Sequence, residues 1–160
     1  MTLYHASNVE VRTPRIIRST RMLDFGFGFY TTTNLEQAKR FAHRVFERTR
    51  SGRALVNVYE LDEARAFAEC SLLRFDSPDE KWLDFVAANR TGIYGGETYD
   101  LVYGPVANDD VYKTINAYIG GFAERDWTLK QLMVRKLYNQ LVFATEKSLG
   151  YLRHVITEVL

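Results

Sequence analysis

A single cysteine, Cys70, occurs in the 160 residues. It excludes an intramolecular disulfide and any cysteine-based metal site, and a small, reduced, buried side chain beside a strand is the expectation. Prolines number three, so no proline-rich linker divides the chain. No apolar run approaches the roughly 18 residues of a membrane-crossing helix. The chain opens on a strand-like segment instead of a basic region followed by an apolar stretch, and a reduced, cytoplasmic protein without membrane contact is the default reading. His43 and His154 have neither the spacing of adjacent helical turns nor an evident carboxylate partner, so no metal is expected. Serine and cysteine hydrolase chemistry lacks its signatures, since there is no Gly-x-Ser-x-Gly element and no Cys-His pair in a recognisable context.

What is present fits one compact unit. With 46% hydrophobic and 26% charged residues, residues 1–160 read as a single domain with one core and no repeat. Aromatic residues make up 14%, enough for both a core and a stacking pocket. The net charge of +1 conceals an uneven distribution. Arginines gather at Arg12, Arg15, Arg18 and Arg21, and again at Arg40, Arg44, Arg48, Arg50 and Arg53. The second group reads as the exposed face of a helix. The first is either a solvated loop or a set of guanidinium groups suited to bidentate phosphate recognition.

Patterning predicts a strand over residues 2–7, an irregular connection over 8–23, and a second strand ending near Thr33. Asn34 as N-cap with Gln37 three residues on predicts a helix to about Arg50, with Leu35, Ala38, Phe41, Ala42, Val45 and Phe46 in one stripe. Strands are expected over 54–61, 71–75 and 99–103, the last stopped by Gly104-Pro105. Ser77 is expected to cap a helix reaching Asn89, Asp109 or Asp110 to open one closed by Gly120-Gly121, and Thr128 to open another reaching Tyr138. A strand from Gln140, a short helix containing Leu149 and Leu152, and a strand over 155–160 complete the chain. Strands and helices alternate without a βαβ rhythm, and there is no Gly-rich strand-to-helix turn, so the class is α+β and not doubly wound.

Two segments ask for more than a core or a turn. Leu3-Tyr4-His5-Ala6-Ser7 sets a histidine, a small residue and a hydroxyl along a strand. Asp24-Phe25-Gly26-Phe27-Gly28-Phe29-Tyr30-Thr31 ends a glycine-punctuated turn in an aromatic residue. Late in the chain Asn139-Gln140-Leu141-Val142-Phe143-Ala144-Thr145 places a polar side chain at the head of an alternating strand, and Tyr99-Asp100-Leu101-Val102-Tyr103-Gly104-Pro105-Val106 precedes it. Together these resemble the ADP-ribosyltransferase-like superfamily, in particular the poly(ADP-ribose) polymerase-like members with a His-Tyr-Glu triad, and an uncharacterised bacterial family grouped with them. The triad here would read His5, Tyr30, Gln140.

The resemblance implies split antiparallel β-sheets with flanking helices, and NAD as a substrate. It implies that the Ala6 main chain and the Ser7 hydroxyl hold the nicotinamide amide, and that His5 holds a ribose hydroxyl. Tyr30 would offer a flat face, with Gly28 and Phe29 shaping the pocket, while Arg15 and Arg18 would clamp the pyrophosphate. Ala6 stands where glycine is usual, and its methyl narrows the approach of the ring. Gln140 can orient a hydroxyl but carries no charge and is no general base. A substitute carboxylate would have to come from Asp24, Glu36, Asp100 or Asp109. The implied activity is transfer of one ADP-ribose unit to a protein or nucleic-acid acceptor, as in bacterial toxins and phage-defence effectors, with a small neutralising protein as partner. A binding module of the same fold that has lost catalysis is the alternative. A third reading takes the aromatic turn as core and the arginines as contacts to RNA or DNA.

Overall fold

The computed structural model describes residues 1–18, 23–106, 109–134 and 137–160, with the backbone alone at 109 and 110; Arg21 and the side chain of Asp109 lie outside the described residues. In chain order the elements are β1 (Thr2–Ser7), β2 (Phe29–Thr32), α1 (Leu35–Thr49), β3 (Leu55–Leu61), α2 (Glu63–Glu69), β4 (Leu72–Arg74), α3 (Glu80–Arg90), β5 (Leu101–Pro105), α4 (Asp109–Ile119), α5 (Arg125–Met133), β6 (Asn139–Phe143), α6 (Glu146–Leu149) and β7 (Leu152–Val159). The α+β class holds.

The seven strands form one mixed sheet in the order β4-β5-β6-β2-β1-β3-β7. All pairs are antiparallel except β4 and β5, which run parallel because α3 carries the chain back across the sheet between them. The split, purely antiparallel sheets expected from the resemblance are corrected to one sheet with a parallel pair at its β4 edge. The seam between β1 and β2 is narrow. They pair only at Tyr4 opposite Thr32, whereas β1 pairs with β3 over six positions and β2 with β6 over four.

Side chains alternate across the sheet and build a layer on each face. On one face Leu3, Phe29, Tyr59, Leu141 and Phe143 pack with Ala66 and Cys70 from the α2 region and Leu149 of α6. On the other, Val102 and Val142 lie under Trp82, Leu83 and Val86 of α3 and Val111 and Ile115 of α4. Beside them, Val56 and Val58 lie under Ala38 and Ala42 of α1. Those alanines let α1 lie close to the sheet. Its cap is as expected, with Asn34 Oδ1 accepting the Gln37 N–H at 2.8 Å. Phe41 and Phe46, predicted in the buried stripe, are instead exposed because the alanines form its centre.

Several boundaries differ from expectation. Helix α2 was not predicted; Asp62 caps it by accepting the Arg65 N–H. Helix α3 starts after Asp79, not Ser77, because the Asp79 carboxylate takes the Trp82 N–H at 3.0 Å. Strand β5 runs through Gly104 to Pro105, which needs no amide at the strand's last residue and whose carbonyl accepts the Trp82 Nε1–H at 3.1 Å. Thr128 lies inside α5, its hydroxyl donating to the Glu124 carbonyl, and the helix ends at Met133 instead of Tyr138. Leu152 opens β7 and does not belong to α6.

Candidate functional site

The β1/β2 seam opens at His5. Met1 and Leu61 exchange both main-chain hydrogen bonds, so along this ladder Leu3, His5 and Ser7 turn their main-chain groups to β3 while Tyr4 and Ala6 turn theirs to β2. After Tyr4 opposite Thr32, the next partner of Ala6 would be Tyr30, and that pairing is not made. The imidazole of His5 takes its place, with Nδ1 2.7 Å from the Tyr30 carbonyl oxygen. A carbonyl only accepts, so Nδ1 carries the proton and Nε2 keeps its lone pair. The ring lies against Phe29 with centroids 4.3 Å apart, which fixes its orientation. The Ala6 main chain thus has no strand pairing on its β2 side among the described residues, and Ser7, whose Oγ accepts the Val9 N–H, ends β1.

Burial drives the His5 pKa below the ordinary imidazole value, opposed by its bond to the Tyr30 carbonyl. The unfolded chain therefore binds the proton more readily, and stability falls as pH drops through about 6.5 towards the folded value. A His5→Phe variant should show a flatter stability profile between about pH 7 and 5. Identical slopes for the two proteins in urea titrations at those pH values would refute this protonation state.

The segment from Asp24 to Tyr30 is a closed turn. The Tyr30 hydroxyl donates to the Gly26 carbonyl at 2.7 Å and accepts the Phe25 N–H at 3.0 Å. Burial first, and the nearby Asp24 charge, push its pKa up, so it remains a neutral phenol. Gly26 has φ +78°, a conformation open to glycine. At Gly28 a Cβ would stand 2.6 Å from Val142 Cγ1 and 2.7 Å from the Phe143 carbonyl oxygen. Gly28→Ala should therefore force β2 off β6 and cost about 1–3 kcal/mol in urea denaturation. An unchanged midpoint would mean the strands have room to spare. Phe25 is buried against Phe75 and Phe85, and Phe29 against His5 and Tyr59. The glycines and these two phenylalanines are thus explained by packing as well as by any pocket.

Asp24 accepts from Arg90 Nε at 2.6 Å, with only 15% and 9% of the two side chains exposed. Arg90 reaches Asn116 Oδ1 at 3.2 Å and lies over the Tyr112 ring at 4.3 Å, tying the turn to α3 and α4. Sequence reasoning passed over Arg90; an arginine near the end of a helix carries no local signal of a partner 66 residues away.

Gln140 stands opposite Thr32 of β2 and Gly104 of β5 and is 4% exposed. Its Nε2 is buried with no hydrogen-bond partner among the described residues. It alternates with Leu141, so it lies on the same face as Val142 and as Tyr30, its diagonal neighbour across the β2/β6 pair. His5, Ser7 and Phe29 lie on the opposite face, with Leu3 and Leu141. The structure gathers Tyr30 and Gln140 on one side of the sheet and His5 on the other, with the open seam between. Asn57, also missed, is fully buried opposite His5; its Oδ1 accepts from the Val11 N–H and the Thr157 hydroxyl, both at 2.8 Å, and so anchors the chain after β1. A lone asparagine among the apolar residues of β3 was its signal.

Arg15 and Arg18 are exposed in the connection between β1 and β2 and form no ion pair among the described residues, while Arg12 pairs with Glu10 at 3.0 Å. Three of the four carboxylates considered as substitutes are engaged elsewhere. Asp24 holds Arg90, Glu36 pairs with Lys39 at 3.4 Å, and Asp100 accepts from Thr145, Ser71 and Lys147. Burial opposes ionisation of Asp100, but those donors outweigh it and hold its pKa below the usual carboxylate range. Among the described residues no cluster of His, Cys, Asp and Glu could hold a metal, and no helix is long and apolar enough to cross a membrane.

A search among curated proteins found none that matches this chain. A family model described as a protein of unknown function, DUF3990, matches residues 1–154, a span that takes in His5, the Asp24–Tyr30 turn and Gln140. The chain belongs to the DUF3990 family.

Proposed function

We propose that this protein is a mono-ADP-ribosyltransferase that takes NAD as donor and modifies a protein or nucleic-acid acceptor, in the manner of a toxin or phage-defence effector held in check by a small neutralising protein. The observation that carries the reading is the buried, unpartnered Nε2 of Gln140 beside Tyr30. An unpaired donor of this kind costs about 1–3 kcal/mol, and a ribose hydroxyl is a ligand atom that would satisfy it. The strand pairing that Ala6 lacks on its β2 side among the described residues supports the same reading. A carboxamide needs one donor and one acceptor, and a free strand edge offers both.

In such a reaction the bond from the ribose C1′ to the nicotinamide nitrogen breaks. The pair of electrons leaves with nicotinamide, and the sugar cation is captured by an acceptor that gives up a proton. On the face they share, Gln140 donates a hydrogen bond to ribose and Tyr30 shields the face of the ring, while His5, on the opposite face of the sheet, acts through its bond to the Tyr30 carbonyl. With no charge at Gln140, the acceptor must be a good nucleophile, and chain extension is disfavoured.

A second reading, of binding without transfer, is favoured by the engagement of Asp24, Glu36 and Asp100 elsewhere. Nicotinamide release from NAD, followed with the purified protein in host-cell lysate, separates the two. Transfer predicts release that vanishes in Gln140→Ala; saturable NAD binding with no release above that variant would select the binding reading, and neither binding nor release would sink both. Tyr30→Phe is the companion, because it keeps the ring and tests the turn alone.

A further inference from the structure

Among the described residues four arginines lie over aromatic rings, and three of them close their edge on a carboxylate. Arg65 over Tyr151 pairs with Glu69, Arg74 over Tyr103 with Asp76, and Arg90 over Tyr112 with Asp24. The fourth, Arg40 of α1, lies over the Tyr138 ring at 5.7 Å and forms no ion pair among the described residues. Glu36, the carboxylate one turn before it, is held by Lys39 at 3.4 Å. A guanidinium stacked by its face keeps its N–H donors at the edge, in the fork that fits a phosphate.

This arginine stands beside Gln140. The Tyr138 carbonyl accepts the Val106 N–H at 2.7 Å, which continues the β5/β6 ladder past Pro105 opposite Asn139. By strand alternation Tyr138 shares the face of Gln140 and Val142. On the other side of Gln140, the hydroxyl of Thr32, directly opposite it on β2, donates to Gln37 Oε1 at 2.6 Å. With Oε1 so occupied, the Gln37 amide offers donors only. Arg40 follows Gln37 by one turn of α1. Gln140, Gln37 and Arg40 therefore bring N–H groups to one side of the sheet, and a set of donors suits an anion. Arg15 and Arg18 leave from the other layer, since Val11 and Ile16 of their connection pack with Leu3 and Tyr59.

We propose that Gln37 and Arg40 hold the diphosphate of the donor, an assignment that rests on NAD being that donor. Along this face the positions follow the order of the ligand, with Ala6 and Tyr30 at the nicotinamide, Gln140 at the ribose, and Arg40 over Tyr138 at the diphosphate. Tyr30 opposes Val142, and the successive positions Val142, Gln140 and Tyr138 are about 7 Å apart along β6 and its extension. The stack on Tyr138 holds the guanidinium in one orientation before the ligand arrives, which lowers the entropy lost on binding. A nucleic-acid acceptor also carries phosphate, and the test separates the two sources.

NAD, ADP-ribose, nicotinamide riboside, which has no phosphate, and oligothymidylate are each titrated into the whole chain by calorimetry. Arg40→Met should weaken NAD and ADP-ribose by at least about tenfold, the loss of one hydrogen bond to a charged group, and leave nicotinamide riboside unchanged. Gln37→Glu keeps the acceptor for the Thr32 hydroxyl and sets a negative charge beside the diphosphate, so it should weaken the same two ligands by a similar factor. Arg15→Ala with Arg18→Ala should leave NAD affinity as it is. Equal NAD affinity in Arg40→Met, with its fold intact by circular dichroism, overturns this assignment and leaves the donor reading in place. An equal loss for nicotinamide riboside, or a loss confined to oligothymidylate, overturns it as well. A native protein that binds neither NAD nor ADP-ribose removes the donor reading and the assignment together.

Discussion

Replacing Gln140 with methionine should make the protein more stable and less active at once. The side chain sits in a buried layer between Thr32 and Gly104, and its Nε2 has no partner there. Methionine has nearly the same length and flexibility and brings no donor to satisfy. Removing an unpaired buried donor should recover about 1–2 kcal/mol, which in a domain of this size raises the thermal midpoint by roughly 2–8 °C. Nicotinamide release should fall by at least about a hundredfold, a loss of the size seen when one positioned hydrogen-bond donor is removed. Such a trade of stability for function is what a residue kept for a ligand exhibits. A methionine variant that unfolds earlier and keeps full activity would show the amide to be structural. Gln140→Glu is the natural companion: a carboxylate buried at this point should lower stability, and faster release would identify the missing charge as what limits the reaction.

The second large effect is expected at the pair that fastens the aromatic turn. Arg90→Met leaves the Asp24 carboxylate largely enclosed without its guanidinium and should cost about 3–5 kcal/mol in urea denaturation, since one partner of a buried pair is left uncompensated. It also releases Asn116 and uncovers Tyr112. The double variant Asp24→Asn with Arg90→Met should regain most of that loss, because no charge then remains inside. Additive losses in the double variant would mean that the two side chains act separately and that the 2.6 Å contact contributes little. NAD-dependent activity should fall along with stability in the single variant, as the turn that holds Tyr30 loosens from α3.

Much of this architecture was legible because its signals are local. The Asn34 cap, the alternation through β3 and the glycines after α4 lie within a few residues of what they control, and each element formed where those signals placed it. Errors arose where a competing local cap won and where a distant partner decided the outcome. Asp79 displaced Ser77 as a cap through its own carboxylate geometry, and Pro105 continues a strand because Trp82 and Asn139 take up its carbonyl and its ladder position. At the site, the order His5, Tyr30, Gln140 along the chain said nothing about faces. Only the register of β2 against β6, and of β1 against β3, divides the three residues across the sheet. The fixing of Asp24 by Arg90 and of the post-β1 connection by Asn57 was equally out of reach, because both join segments more than 40 residues apart.

The position of β6 has a consequence for how the molecule comes into being. It is the sixth strand made, yet it is wedged between β5 and β2 and joins the half of the sheet that holds β4 and β5 to the half that holds β1, β3 and β7. Until β6 has been synthesised, β2 and β5 have no common neighbour and Gln140 has no place to stand. Such long-range closure is slow compared with helix formation, and it must follow the synthesis of β6. Until β6 has emerged, a ribosome making this protein therefore carries an incomplete sheet in which Tyr30 and Gln140 have not yet met.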